Sequence, residues 1–278
     1  EIMASADVVA AHPLFDAAIV LVAIGAFTKS AQFPFHYWLP GAMKAPTPVS
    51  AYLHSATMVK AGVYVLARVA PLGASSELWQ PLLIGAGAAT MLFSSIAAAR
   101  DTDAKAILAW STLIALGALT MTVGVSNGEA TAAFATLLVA HACYKGTLFL
   151  VVGQVDHMTG TRDITELSGL RTRMPLTFVA AVLAVASAAG IPLTLGFVGK
   201  ELLYKGTLAG PLPVVVTAAA VTGKAMATAM LLRAMVMPFL GRPPSDMPSE
   251  ARESASWTAQ PLMLAVVGVV AGTLAAPL

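Results

Sequence analysis

Eight stretches of about 20 mostly apolar residues run through this chain, and that is the length an α-helix needs to cross a bilayer. They lie at 14–33, 47–69, 78–99, 104–125, 130–154, 174–208, 212–239 and 257–277. Backbone polar groups find no water in lipid and must bond within the segment, so the expected fold class is all-α, a polytopic transmembrane helix bundle. Composition agrees. Of 278 residues, 58% are hydrophobic and 11% charged, and the mean hydropathy is +0.79, which excludes an ordinary soluble domain. The connections are short and hold turn and charge residues, as at Arg100-Asp101-Thr102-Asp103 and from Gly241 to Glu253.

The net charge of +2 is dispersed, so no nucleic-acid partner is expected. A single cysteine, Cys143, sits in an apolar run and reads as a small core residue, with no disulfide framework or metal cluster. No phosphate-binding glycine loop, dinucleotide turn, haem motif or Fe–S ligand set is present, so no cofactor and no metal is expected. His141 and Cys143 lie on opposite sides of a helix and form no nucleophile–base pair, and no catalytic residue is assigned. The reading is a transporter rather than an enzyme. The chain opens EIMASADVVA, with no initiator methionine and no basic leader, and is expected to be a fragment whose upstream part is missing.

Lysine is placed unlike arginine. Of eight lysines, Lys29, Lys60, Lys105, Lys145, Lys200 and Lys224 fall within or at the start of the apolar stretches, and only Lys44 and Lys205 in connections. Arg100, Arg162, Arg171, Arg173, Arg242 and Arg252 all lie in connections. A charge at a helix centre costs about 2.5–3.5 kcal/mol on insertion scales and marks an ion path or a paired site. Lysine suits a proton path better than arginine, because a buried lysine can lose its proton and arginine stays charged.

Two of these lysines stand beside interruptions, in Gly25-Ala26-Phe27-Thr28-Lys29-Ser30-Ala31-Gln32-Phe33-Pro34 and in Gly190-Ile191-Pro192-Leu193-Thr194-Leu195-Gly196-Phe197-Val198-Gly199-Lys200-Glu201. Proline removes a backbone donor and glycine loosens the turn. Two such segments, five helices apart, point to an internally repeated transporter with ion sites at two broken helices. On a continuous second helix, His54 and Lys60 would lie about 120° and about 9 Å apart, joined through water. His141 and Lys145, four residues apart, share a face and would hold one proton between them rather than two. Glu201 reads as the carboxylate inside the membrane core, a partner for a lysine of another helix or a cation ligand. Lys105 reads as a relay group or an interfacial snorkelling lysine, and Lys224 as a path residue or a structural pair. Phe33, Phe35, Tyr37 and Trp38 read as an interfacial belt.

The odd-numbered connections carry Lys44, Arg100, Arg162, Arg171, Arg173, Arg242 and Arg252, and the even-numbered ones only Arg68 and Lys205. The positive-inside rule puts the first set in the cytoplasm.

Lys29-Ser30-Ala31-Gln32-Phe33-Pro34-Phe35-His36-Tyr37-Trp38-Leu39-Pro40, followed by Ala45-Pro46-Thr47-Pro48-Val49-Ser50-Ala51-Tyr52-Leu53-His54-Ser55-Ala56-Thr57-Met58-Val59-Lys60-Ala61-Gly62, resembles the signature of the proton-antiporter family. That family includes the pumping subunits of respiratory complex I and the large subunits of Mrp-type Na+/H+ antiporters. Val155-Asp156-His157-Met158-Thr159-Gly160-Thr161-Arg162-Asp163-Ile164 is more similar to the A subunits of the Mrp type. The resemblance implies that residues 1–70 are the last two helices of a first inverted repeat, 71–240 the second repeat, and 241–278 an additional C-terminal transmembrane helix. It implies broken-helix lysines at Lys29 and Lys200, bridging residues at His54 and Lys60, and a central pair at His141 and Lys145. The family's glutamate partner of the first of these lysines would lie upstream. Ile191-Pro192-Leu193-Thr194-Leu195-Gly196 departs from the family, where a second proline and a small polar residue are common.

The expected function is proton conduction through a midplane Lys/His relay in a multisubunit Na+/H+ antiporter of the bacterial cell membrane, coupled to sodium export. The expected partners are the other subunits, membrane lipid, protons and Na+. Two alternatives are a proton-pumping subunit of complex I or a membrane-bound hydrogenase, and a structural membrane subunit without its own transport path.

Overall fold

A computed structural model describes residues 6–55, 57–242 and 253–275. Arg252, most of the seventh connection, and the opening EIMAS lie outside the described residues. Among the described residues all extended regular structure is helical. After α1 (Ala6–Ala10), helix α2 (Phe15–Lys29) stops where the chain turns through Ala31, at φ 50°, and a cis Phe33–Pro34 bond, before the short α3 (Trp38–Gly41). Then come α4 (Thr47–Ser55), α5 (Met58–Gly73), α6 (Trp79–Arg100), α7 (Ala104–Val125), α8 (Gly128–Thr159), α9 (Pro175–Ala189), α10 (Leu195–Leu208), α11 (Pro213–Met235) and α12 (Ala255–Ala275). Among the described residues, α6, α7, α8, α11 and α12 are long and apolar enough to cross a membrane alone.

The stretch 47–69 is two helices rather than one. Thr57 leaves the helical region, at φ −132° and ψ −78°. Side chains take over the backbone's role there. The Ser55 hydroxyl donates to the Ala51 carbonyl, and the Lys60 ammonium takes the Ser55 carbonyl. The orphan Ser55 carbonyl at the end of α4 is thus satisfied without continuing the helix. The wheel relation expected between His54 and Lys60 does not apply, because no continuous helix joins them. Lys205, expected in a connection, lies in the last turn of α10.

The centre of the bundle is α7 and α8. Almost every residue of α7 is buried, as fits a helix apolar on all sides. Its partner α6 approaches to backbone contact, and a Cβ added at Gly87 would stand 2.6 Å from the Gly117 oxygen, as would one at Gly117 from the Gly87 oxygen. Small residues at such crossings let membrane helices pack closely. Asp103 caps α7, accepting from the Lys105 and Ala106 N–H groups at 2.7 and 3.2 Å. Asn127 caps α8 through Ala130 N–H at 2.8 Å and donates to the Gly206 carbonyl at 2.8 Å, tying α8 to α10. Helix α8 then packs on α4, α7, α9, α10 and α12.

Between α9 and α10 the chain turns through Gly190 (φ 73°) and Leu193 (φ 73°). Ile191 N–H bonds the Ala186 carbonyl at 3.0 Å and Gly190 N–H the Ser187 carbonyl at 3.1 Å, the Schellman pattern that closes a helix with a left-handed residue. Helix α10 restarts on Thr194, whose hydroxyl accepts from Phe197 N–H. Two glycines let backbones press on this turn. A Cβ at Gly196 would fall 1.7 Å from the Ser187 oxygen, and one at Gly272 of α12 2.2 Å from Thr194.

Candidate functional site

Lys145, in the middle of α8, is fully buried. Its ammonium donates to the Leu108 carbonyl at 2.8 Å and to the Ser111 hydroxyl, both of α7. One turn earlier on α8, the buried His141 ring sits edge-on to Tyr144, 5.2 Å between centroids. His54 of α4, also fully buried, lies against Phe149 at 4.8 Å. Neither histidine makes a hydrogen bond to a described residue through either ring nitrogen.

Four other lysines are held by carbonyls. The Lys60 ammonium donates to the Ser55 carbonyl and to Leu138 of α8 at 3.3 Å. Lys105 is buried and does not snorkel outward, and its ammonium takes the Ala45 carbonyl. Lys224 donates to Ala188 at 3.2 Å and Lys200 to Gly190 at 2.7 Å, so both sit on the C-terminal end of α9. That end carries the negative pole of the helix dipole, which favours cations.

Shared contacts place these groups in a row. Lys105 is tied to Ala45, just before the helix that carries His54, and His54 lies on Phe149, one turn from Lys145. Lys145 bonds Ser111, which shares a cavity wall with His141 and Lys224, and Lys224 and Lys200 bond the same end of α9. Lys60 bonds Leu138, about one turn before His141. A cavity of about 20 Å³ is walled by Ser111, His141, Tyr144, Ala188 and Lys224 among others, which is room for one water molecule among several polar groups.

Two expected site residues stand apart from the row. Ser30, beside Lys29, turns inward, where its hydroxyl donates to the Val59 carbonyl and accepts from Val63 N–H, each at 2.8 Å. Its neighbour, about 100° around the helix, therefore faces out, and Lys29 is exposed without a hydrogen bond or ion pair among the described residues. Glu201 follows the same logic, because Lys200 turns in toward Gly190 and Glu201 turns out, exposed and unpaired among the described residues. Ser111 and Tyr144 were not singled out from the sequence. Nothing local marks them, since Ser111 meets Lys145 across 34 positions of sequence. Of the aromatic belt, Tyr37 is 76% exposed, but Phe35 and Trp38 pack against the core.

Fold and row together define a multi-pass helical membrane protein with ionisable groups through its centre. Residues 1–241 match the family described as NADH:quinone oxidoreductase/Mrp antiporter, TM, and the chain belongs to that family. It is similar to the A/B subunit of a probable K(+)/H(+) antiporter of Rhizobium meliloti, 44% identical over 97% of this chain and 28% of the relative. It is also similar to the A subunit of the Na(+)/H(+) antiporter of Alkalihalophilus pseudofirmus, 48% identical over 74% of this chain and 28% of the relative. The chain thus spans between about a quarter and a little over a third of the curated relatives it matches. Among solved structures, a chain of the Mrp complex from Dietzia sp. superposes with a TM-score of 0.86 at 42% identity, over 95% of this chain and 29% of that one.

Proposed function

We propose that the chain is the proton-conducting part of the large A-type subunit of an Mrp-type Na+/H+ antiporter, and that it moves protons along the buried row in exchange for sodium export. The observation that carries this reading is how the lysines are satisfied. A scaffold would pair buried ammoniums with carboxylates, since an unpaired buried charge is strongly unfavourable. The ammoniums of Lys60, Lys105, Lys145, Lys200 and Lys224 instead bond carbonyls and one hydroxyl. A lysine can donate to a carbonyl whether or not it carries the extra proton, so the tether survives proton transfer. Crossing 100 mV gives a charge about 2.3 kcal/mol, more than the roughly 1.4 kcal/mol of a tenfold change in protonation.

In this reading Lys29 and Lys200 are equivalent residues of two inverted repeats, and Lys29 meets its acidic partner on an upstream segment. The remaining antiporter subunits and lipid cover the outer faces. Lys145→Ala and Lys145→Arg, made in the assembled complex and assayed in everted vesicles, are expected to abolish antiport while assembly persists. Antiport at the wild-type rate in Lys145→Ala would overturn the relay.

A further inference from the structure

At the end of the bundle where the α6–α7 turn meets the α8–α9 connection, two cavities open side by side. One, of about 650 Å³, is walled by Thr47, Gln154, Asp156, His157, Trp257 and Gln260 among others. The second, of about 470 Å³, is walled by Thr102, Asp103, Asp156 and Asp163 among others. Asp156, half-buried near the end of α8, is common to both.

The other carboxylates of this end are already engaged. Asp163 accepts from the Thr165 N–H at 2.9 Å, the Thr165 hydroxyl at 2.7 Å and the Thr102 hydroxyl at 3.2 Å. Asp103 caps α7 and pairs with Arg162 at 3.2 Å. Asp101 accepts from Asp103 N–H and the Trp110 indole, and Glu166 from the Thr161 hydroxyl at 2.6 Å. Glu253 caps α9 through Leu176 and Thr177 N–H. The Asp156 carboxylate has no hydrogen bond or ion pair among the described residues. Asp103, which walls the second cavity with Asp156, accepts from the N–H of Lys105. Lys105 in turn is tethered to Ala45, two residues before Thr47 in the wall of the larger cavity.

We propose that Asp156 is the group through which the buried row exchanges protons with water at this mouth, the cytoplasmic one by the loop charges. An N–H bond of the Lys105 ammonium breaks as an O–H bond forms on a bridging water, an O–H bond of that water breaks as one forms on the Asp156 carboxylate, and Asp156 then releases its proton to solvent in the cavities. The proposal rests on the relay reading above and adds its terminus. The charged groups that share the cavity walls with Asp156 are Asp103 of α7, Arg162 and Asp163 of the α8–α9 connection, and His157 of its own helix, with Lys105 behind Asp103, while α12 presents the uncharged Trp257 and Gln260.

The test is antiport per assembled complex in everted vesicles, followed from neutral to alkaline pH, for Asp156→Asn and Asp156→Glu. The asparagine variant is expected to lose on the order of tenfold in turnover, below the full contribution of a positioned proton-transfer group because cavity water bypasses it in part. Its pH profile is expected to flatten, and glutamate to restore both. Wild-type turnover and profile in Asp156→Asn would overturn the proposal, and so would a glutamate variant as impaired as the asparagine one, which marks a packing role. If Asp156→Asn is normal while Lys145→Ala is dead, the mouth falls and the relay stands. If Lys145→Ala also transports normally, both fall.

Discussion

Gly190 and Gly160 share a backbone conformation, φ 73° and 72°, but not an environment, and replacing each by alanine separates strain from contact. The left-handed region costs a non-glycine residue about 1–2 kcal/mol, and Gly160→Ala meets only that, since no atom lies within 4 Å of the added methyl. At Gly190 the methyl would stand 2.8 Å from Cδ and 3.0 Å from Cε of Lys200. Carbon pairs rest at about 3.5–4.0 Å, so the lysine stem must withdraw by roughly 0.5–1 Å. Its ammonium then loses the 2.7 Å bond to the Gly190 carbonyl. A hydrogen bond to a charged group contributes about 1.5–3 kcal/mol, and the low end applies because Lys200 is half-buried. Gly190→Ala is therefore expected to destabilise by about 2.5–3.5 kcal/mol, against about 1–2 for Gly160→Ala. Thermal midpoints of the purified complex test the order, and antiport per assembled complex tests the function. Only Gly190→Ala is expected to lose a large part of its turnover, through the displaced Lys200. Equal midpoints for the two variants, or normal antiport in Gly190→Ala, would refute the reasoning.

Two further outcomes follow from single contacts. Ser111→Ala removes the hydroxyl that takes the Lys145 ammonium and walls the small cavity with His141 and Lys224, but leaves Lys145 tethered to the Leu108 carbonyl. Turnover is expected to fall on the order of tenfold, as for one lost bond to a charged group, with assembly intact and rescue by threonine; unchanged turnover removes Ser111 from the path. The Thr165 hydroxyl and N–H, with Thr102, hold the Asp163 carboxyl below its usual range. The stabilisation this gives is complete above the unfolded carboxylate pKa of about 3.9 and is lost as pH falls through the lower folded value. Midpoints followed from neutral to acid pH should fall less steeply in Asp163→Asn than in wild type, and parallel curves would count against the bond's role.

Much of the site was legible because apolar length and buried charge are local properties. The interruption at Gly190 and the presence of lysines and of the histidines at 54 and 141 in apolar stretches are all written in short windows of sequence. The relation of His54 to Lys60 was misread because it assumed one helix, where Ser55, Thr57 and Lys60 hydrogen-bond the chain into two. Glu201 and Lys29 were marked by their position in apolar stretches, which says nothing of the face they occupy.

By itself, then, the sequence determined that the chain spans a membrane as helices, where its apolar stretches lie, and which ionisable groups they carry. Only the tertiary structure decided which groups meet. Over their most apolar 18 residues α6 and α7 are equally hydropathic, but 39% of one such stretch and 83% of the other is buried. Lipid and protein interior favour the same side chains, so hydropathy cannot tell one face from the other. The contacts that order the row, Lys145 to Ser111, Lys105 to Ala45 and Lys224 to Ala188, join residues more than 30 positions apart and exist only once the helices have packed.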